Sequence, residues 1–331
     1  MKLPWEKLNG TNILITGSTG LIGGCLVDVL MTRTDNRFQV FAAGRNKERV
    51  RKRFRQYLTS KSFHYLKYDV LSPLTCNNRF DYIIHAASNA SPNFFAKNPV
   101  EVMKSNIAGT VNLMEYGLRH GMKRMLFVST GEVYGEGDGR VFNEDYSGYV
   151  NPTLPRSCYP MSKRAAETLC VSYAQEYGAD VVIARPCHIY GPGFTETDNR
   201  VYAQFIRNVL KGEDIIMKSS GEQFRSWCYV VDCVAALLYI LLKGESCQAY
   251  NVADKSTNIT IKELAEMVAE IGGRNVVLDL PNEDESRGFN VVTKSVFSTE
   301  KLESLGWKVL PRSMKEKMTS TIIQQELLCN N

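Results

Sequence analysis

Tyr159 and Lys163 stand four residues apart in "CYPMSKRAAE", a stretch that reads as helix. Residues i and i+4 of a helix share one face, so a phenol and an ammonium at this spacing can serve one site. A lysine there stabilises phenolate and brings the tyrosine pKa towards working pH, which suits moving a proton on or off a substrate hydroxyl. The spacing alone is common. Its weight comes from "STGEVYG" (129–135), which ends an apolar run upstream and offers Thr130 to the same substrate oxygen, with Glu132 beside it.

Such a site needs a hydride carrier, and "ITGSTGLIGG" (15–24) supplies a place for one. Gly17 permits a tight strand-to-helix turn, Gly20 lets backbone approach a pyrophosphate, and Gly23 lets the helix pack closely on the strand. The free N–H groups of the helix start then meet phosphate oxygens, with Thr19, Leu21 and Ile22 in the same turn. At the end of the second strand, an Asp or Glu would bond a ribose 2′-hydroxyl; "FAAGRN" places Arg45 there instead. An arginine suits a 2′-phosphate, which favours NADP over NAD, although Arg45, Lys47 and Arg49 also read as the start of a solvated basic helix. Asp69 and Val70 fit the adenine edge, and Ala86, Ala87 and Ser88 line the cofactor after the fourth strand.

These residues sit in an alternating pattern. Strands are expected at 12–16, 38–43, 63–68, 81–86, 124–129 and 180–185, with helices at 20–32, 46–58, 99–120 and 159–177 between them. Apolar strands alternating with helices predict an α/β, doubly wound parallel sheet covered on both faces. Beyond Pro186 the rhythm changes to helices at 201–211, 232–243, 260–271, 299–305 and 312–328. This reads as a dinucleotide domain at 1–185 and a smaller, mostly helical lobe at 186–331, with some segments returning to the sheet. A cleft between the two is the expected site.

Composition narrows the function classes. A formal charge of +5 with acids spread throughout is no nucleic-acid footprint. The longest apolar run, Cys233 to Leu242, is about half of the ~20 residues a membrane span requires, and suits a buried helix. Nine scattered cysteines without a CxxC pair, and an N-terminus without an apolar leader, point to reduced thiols and a cytoplasmic protein. Four isolated histidines give no metal-ligand spacing, so no metal is expected.

The GxxGxxG turn, Thr130, Tyr159 and Lys163 together resemble the extended short-chain dehydrogenase/reductases, the NAD-dependent epimerase/dehydratase family. The resemblance covers nearly the whole chain and implies a Rossmann-like fold, a homodimer through helices 99–120 and 159–177, and a nucleotide-diphosphate sugar as substrate. "RPCHIYGP" (185–192) matches the segment that contacts nicotinamide, which implies roles for Pro186 and Ile189. Arg225 in "GEQFRSWCYVVD" matches an arginine near the sugar-nucleotide diphosphate; Ser91, Arg156, Arg200 and Arg287 are further substrate contacts by position.

Within the family, Glu132 is informative. 4,6-Dehydratases carry Asp-Glu after the threonine, where this chain has Gly131-Glu132, and simple 4-epimerases usually lack the glutamate. UDP-glucuronate decarboxylases keep it. Their Ser-Pro loop resembles "HAASNASPNFFAKNP" (85–99), and "EDYSGYVNPTLPRSCY" (144–159) and "DNRVYAQFIRNVLKGE" (198–213) are similar to theirs. A decarboxylase working through C4 of the sugar is therefore expected first. A 4-epimerase, a dehydratase variant and an NADPH-dependent 4-ketosugar reductase stay open, with a non-catalytic NADP(H) sensor as the weakest reading. Two departures stand out: Gly131 replaces a serine, and Phe94-Phe95 replace Asn-Tyr. Both remove hydrogen-bonding groups expected near the sugar.

Overall fold

The computed structural model describes residues 3–33, 37–279 and 294–329. Its strands in the first half are β1 (Asn12–Thr16), β2 (Gln39–Gly44), β3 (Phe63–Lys67), β4 (Tyr82–His85), β5 (Arg124–Val128) and β6 (Val181–Pro186). Shorter ones follow: β7 (His188–Tyr190), β8 (Ile215–Met217), β9 (Phe224–Tyr229), β10 (Ala249–Val252), β11 (Asp254–Thr260), β12 (Val276–Leu278) and β13 (Lys294–Ser295). The helices of the first half are α1 (Leu21–Met31), α2 (Lys47–Arg53), α3 (Pro92–Lys97), α4 (Pro99–Arg119) and α5 (Cys158–Tyr177). The second half adds α6 (Val201–Lys211), α7 (Val230–Lys243), α8 (Ile261–Gly272), α9 (Glu300–Ser304) and α10 (Met314–Cys329).

A seven-stranded sheet in the order β10-β6-β5-β4-β1-β2-β3 forms the centre, and all its pairings are parallel. Side chains alternate between its faces with a period of two. Leu14, Ile83, Met125, Phe127, Val181 and Ile183 turn to the face covered by α4 and α5. Ile13, Ile15, Ile84, Leu126, Val182 and Ala184 turn to the face covered by α1 and α7. Burial on both faces is why these strands read as unbroken apolar runs rather than alternating ones. Strand order reverses at β1, which lies between β4 and β2. In a doubly wound sheet, ligands bind outside the carboxyl ends of the strands at that point.

The expected strands of the first half all form, within a residue or so of their expected ends. The helix expected over 46–58 is shorter. α2 stops at Arg53, Phe54 tucks fully into the core, and a single 3₁₀ turn covers Arg55–Tyr57. The run "DCVAALLYILLKG" is the buried helix α7, packed on β5, β6 and α1. The C-terminal half holds more strand than its sequence pattern suggests. Residues 249–252 return to the main sheet as β10, β7, β9, β11 and β13 make a second sheet, and β8 pairs β12. These pieces are too short for a clear period, and β11 is broken by a register shift between Asp254 and Asn258.

The C-terminal helix is tied in by a buried ion cluster. Lys317 on α10 reaches Asp232 at 2.9 Å and Asp254 at 3.1 Å, and all three side chains are buried. Gln325 on the same helix bonds the backbone of Gly193 and Phe194 in the loop before α6.

Candidate active site

β1 delivers the chain into a turn that only glycine can make. Gly17 has φ +67°, and a Cβ there would lie 2.6 Å from the Ala86 carbonyl oxygen. A Cβ on Gly23 would collide with the Gly17 carbonyl oxygen, so this contact sets how closely α1 sits on β1. At Gly20 a Cβ would meet only the Gly17 carbonyl oxygen, at 3.3 Å, and otherwise enter open space. Gly20 is the N-cap of α1 and no side chain caps the helix, so its first N–H groups face an open cleft.

That cleft, of about 400 Å³, runs along the carboxyl ends of β1, β2, β4 and β5. Its wall includes Gly17, Thr19, Gly20, Leu21, Ile22 and Gly23 from the turn, Arg45 and Arg49 beyond β2, and Asp69 and Val70 beyond β3. Ala86, Ala87, Ser88 and Ser91 follow β4, while Tyr159, Lys163 and Arg200 close the inner end. Ser129 also lines it, and its buried hydroxyl has no partner among the described residues. An uncapped helix start, a glycine cradle that a Cβ would fill and an orphaned hydroxyl fit a pyrophosphate-linked dinucleotide.

At the inner end, Lys163 is buried and donates from Nζ to the Val128 carbonyl at 2.7 Å. Burial lowers its pKa to about 7. Tyr159 is also buried, which raises its phenol above the ordinary value; the Glu132 carboxylate adds to this. A hydrogen bond with Thr130 and the charges of Arg200 and Arg156 work the other way. The spacing argument expected Lys163 to be the group that lowers Tyr159. One Lys163 Nζ donor goes to the β5 backbone, and Thr130 and the two guanidiniums offset part of the rise in the phenol.

Thr130 caps the 3₁₀ turn Gly131–Tyr134, accepting from the Glu132 N–H at 3.2 Å. Glu132 pairs with Arg156 at 2.9 Å. Arg225 is buried on β9, feels the Glu132 charge, and lies 3.4 Å from His188 Nε2. His188 is half-buried and held well below the usual imidazole pKa, at about 3, by desolvation and by Arg225. Arg200 reaches the cleft wall, but Asp198 grips it through Nε at 3.0 Å and 3.2 Å. Pro186 and Ile189, placed against nicotinamide by resemblance, are buried at the end of β6 and on β7 and do not line the cleft. Arg287 lies outside the described residues.

The two departures from the decarboxylase pattern have physical explanations. A side chain at Gly131 would run into the Phe297 ring, with a Cβ 2.6 Å from Phe297 Cε1. Phe297 is fixed from elsewhere, through a bridge to Phe142 and a 3.1 Å bond from its N–H to Ser226 Oγ. Phe95 does not face the cleft at all. It is fully buried and stacks on Tyr159, with centroids 4.6 Å apart and planes 17° apart, while Phe94 lines the cleft. Sequence reasoning missed Ser129, Asp198, Phe297 and the role of Phe95. Two of these had a readable signal: Ser129, directly before Thr130 at the strand end, and Asp198, the first residue of the 198–213 segment.

A seven-stranded parallel sheet with a dinucleotide cleft at its switch point and a Thr/Tyr/Lys group at the inner end defines an enzyme of the extended short-chain dehydrogenase class. The NAD dependent epimerase/dehydratase family model matches residues 13–253, and the chain belongs to that family. It is similar to UDP-glucuronic acid decarboxylase 6 of Arabidopsis thaliana, 38% identical over 259 residues that cover 78% of this chain and 74% of the relative. UDP-glucuronic acid decarboxylase 1 of Xenopus tropicalis is 33% identical over 320 residues, covering 94% and 71%. Among solved structures, UDP-glucose 4-epimerase of Thermus thermophilus in complex with NAD superposes with a TM-score of 0.76 at 25% identity, over 95% of this chain and 98% of that one. An epimerase of Methanothermobacter thermautotrophicus shares the fold with a TM-score of 0.84 at 19% identity, over 99% and 96%. The cofactor class is NAD(P). Among the described residues, no helix is long and apolar enough to cross a membrane.

Proposed function

We propose that this enzyme decarboxylates a nucleotide-diphosphate uronic acid, with UDP-glucuronate as the substrate to test first. The observation that carries the reading is the Glu132–Arg156 pair set beside Thr130 and Tyr159. The named decarboxylases among the relatives support it. When bound, the dinucleotide supplies a reversible hydride acceptor at the sugar C4.

Tyr159 holds the proton of the C4 hydroxyl and moves it on and off that oxygen, with Thr130 fixing the same oxygen. Lys163, anchored to Val128, fixes the far side of the cleft floor. A carboxylate β to a carbonyl leaves readily as carbon dioxide; the carbanion left behind takes its proton from water, which the ion-paired Glu132 carboxylate orients by accepting its other hydrogen. Arg225, Arg156 and Arg200 are the fixed donors for anionic groups of the substrate, with Ser91 and Arg287 as further contacts. Residues 1–185 carry the dinucleotide in this reading and 186–331 most of the sugar nucleotide. A homodimer through α4 and α5 is supported by exposed Val100, Met103, Val171 and Tyr177 on those helices.

Arg45 favours a second reading. With Arg49 it gives the adenosine end of the cleft two guanidiniums and no carboxylate at the end of β2, which suits NADP(H) and an external reduction of a 4-ketosugar. Two measurements on the purified protein separate the readings: mass spectrometry of the nucleotide released on denaturation, and carbon dioxide release from UDP-glucuronate. Bound NAD with carbon dioxide release upholds decarboxylation. An empty site that prefers NADPH, with no carbon dioxide release, overturns it in favour of the reductase.

A further inference from the structure

Phe95 lies off the cleft wall, in a small apolar cluster with Val102, Cys158 and Tyr159 that is separate from the main core. α3 is a single short helix, entered at Ser91-Pro92 and left at Asn98-Pro99, and its Phe95 is fully buried. One face of this ring lies parallel to Tyr159, with centroids 4.6 Å apart. The same ring has the Arg156 guanidinium carbon 4.9 Å from its centroid. Arg156 in turn holds Glu132 at 2.9 Å. One aromatic side chain therefore touches the phenol and the arginine that aims the carboxylate.

We infer that Phe95 is a positioning residue that fixes the Tyr159 phenol and the Arg156–Glu132 pair relative to each other. The inference rests on the reading of Tyr159 as the proton-transfer group. Stacked rings resist tilting, and a guanidinium over a ring face is attracted to its quadrupole. Both contacts also exclude water from the phenol, which agrees with burial as the leading cause of its raised pKa. The charged and polar groups facing Tyr159 are Thr130, Glu132, Arg156 and Arg200, with Lys163 one helical turn on. The position needs a flat ring more than it needs apolarity. A leucine fills the volume but leaves the phenol free to tilt and Arg156 without its platform. A misplacement of this kind costs up to ~10²-fold in rate even when no reacting group is lost.

The test compares Phe95→Leu and Phe95→Tyr, with Tyr159→Phe as reference. The first readout needs no turnover: in protein with ring-labelled tyrosine, the Tyr159 resonance is the one missing from Tyr159→Phe. The inference expects it displaced by the Phe95 ring current, moved towards its ordinary position in Phe95→Leu, and retained in Phe95→Tyr. The second readout is kinetics on UDP-glucuronate. Phe95→Leu should lose ~10- to 100-fold in kcat with dinucleotide affinity unchanged and an altered pH profile, and Phe95→Tyr should restore all three. Wild-type resonance and kinetics in Phe95→Leu, or equal losses in both variants, overturn the inference. A wild-type enzyme inert towards UDP-glucuronate would instead strike the functional reading, while the resonance still decides on Phe95.

Discussion

The two ends of the cleft are built from different material. The dinucleotide end is backbone: glycines 17, 20 and 23, a free helix start, and small residues after β4. The sugar end is side chains brought from distant segments: Thr130 and Glu132 after β5, Arg156 and Tyr159 around the start of α5, Phe95 on α3, and Phe297 from beyond β13. A surface made by backbone changes only when the turn changes. A surface made by packed side chains can be altered by one exchange, provided a neighbour gives way. Gly131 against Phe297 is such an exchange.

Each prediction tests that contrast, beginning with the largest effect. Tyr159→Phe should reduce turnover by ~10²- to 10⁴-fold while dinucleotide affinity, measured by fluorescence titration, stays as in wild type. Equal loss of both would mean that the two ends are not separable.

Lys163→Met probes the boundary between them through stability. Its folded pKa, lowered by burial to about 7 from 10.5, means that holding the charged form folded is costly. The unfolded chain binds the extra proton between those values, so this burden is complete below pH 7 and declines as pH rises towards 10.5. Without dinucleotide, the methionine variant should melt higher than wild type below pH 7, by an amount on the order of several kcal/mol less the lost Val128 bond. The gain should shrink in alkaline buffer. A constant difference across that range would show that the lysine is not buried in solution.

Gly17→Ala attacks the backbone end. At φ +67°, with the Ala86 carbonyl in the way, it should cost ~1–3 kcal/mol and abolish dinucleotide binding, and no second substitution nearby should restore it. Gly131→Ser attacks the side-chain end. Overpacking against Phe297 should cost ~1–3 kcal/mol, and Phe297→Leu in the same chain should recover most of it. Thermal melts of the two single variants and the double variant decide whether the sugar end is as exchangeable as proposed. The smallest effect belongs to Arg45, whose side chain is 65% exposed and 3.6 Å from Glu101. Arg45→Asp should shift the ratio of NADPH to NADH affinity by roughly tenfold or less towards NADH.

The same contrast governs what could be read from the sequence. β1 through β6 were legible because burial on both faces forces continuous apolar runs, and the glycine turn because it is contiguous and its spacing is dictated by sterics. Tyr159, Lys163, Thr130 and Glu132 were legible as types but not as contacts. Lys163 also bonds the β5 backbone, and no spacing rule could have supplied that partner. Phe297 and Phe95 were illegible in role, since each acts through a ring that arrives from another part of the chain. The short strands after Pro186 were hidden because two to seven residues carry too little periodicity, and β10 joins the sheet only through its pairing with β6.

The ion cluster under the C-terminal helix bears on the order in which the protein can be assembled as it is synthesised. Asp232 and Asp254 emerge from the ribosome well before Lys317, yet both are destined for a site closed to water. Two carboxylates without their cation are costly to seal from water, so that corner favours closing only with α10 in place. β10 lies just ahead of Asp254, at the sheet edge. The edge strand of the sheet and the last helix of the fold thus meet at one buried ion cluster, and the same helix holds, through Gln325, the loop beside the cleft.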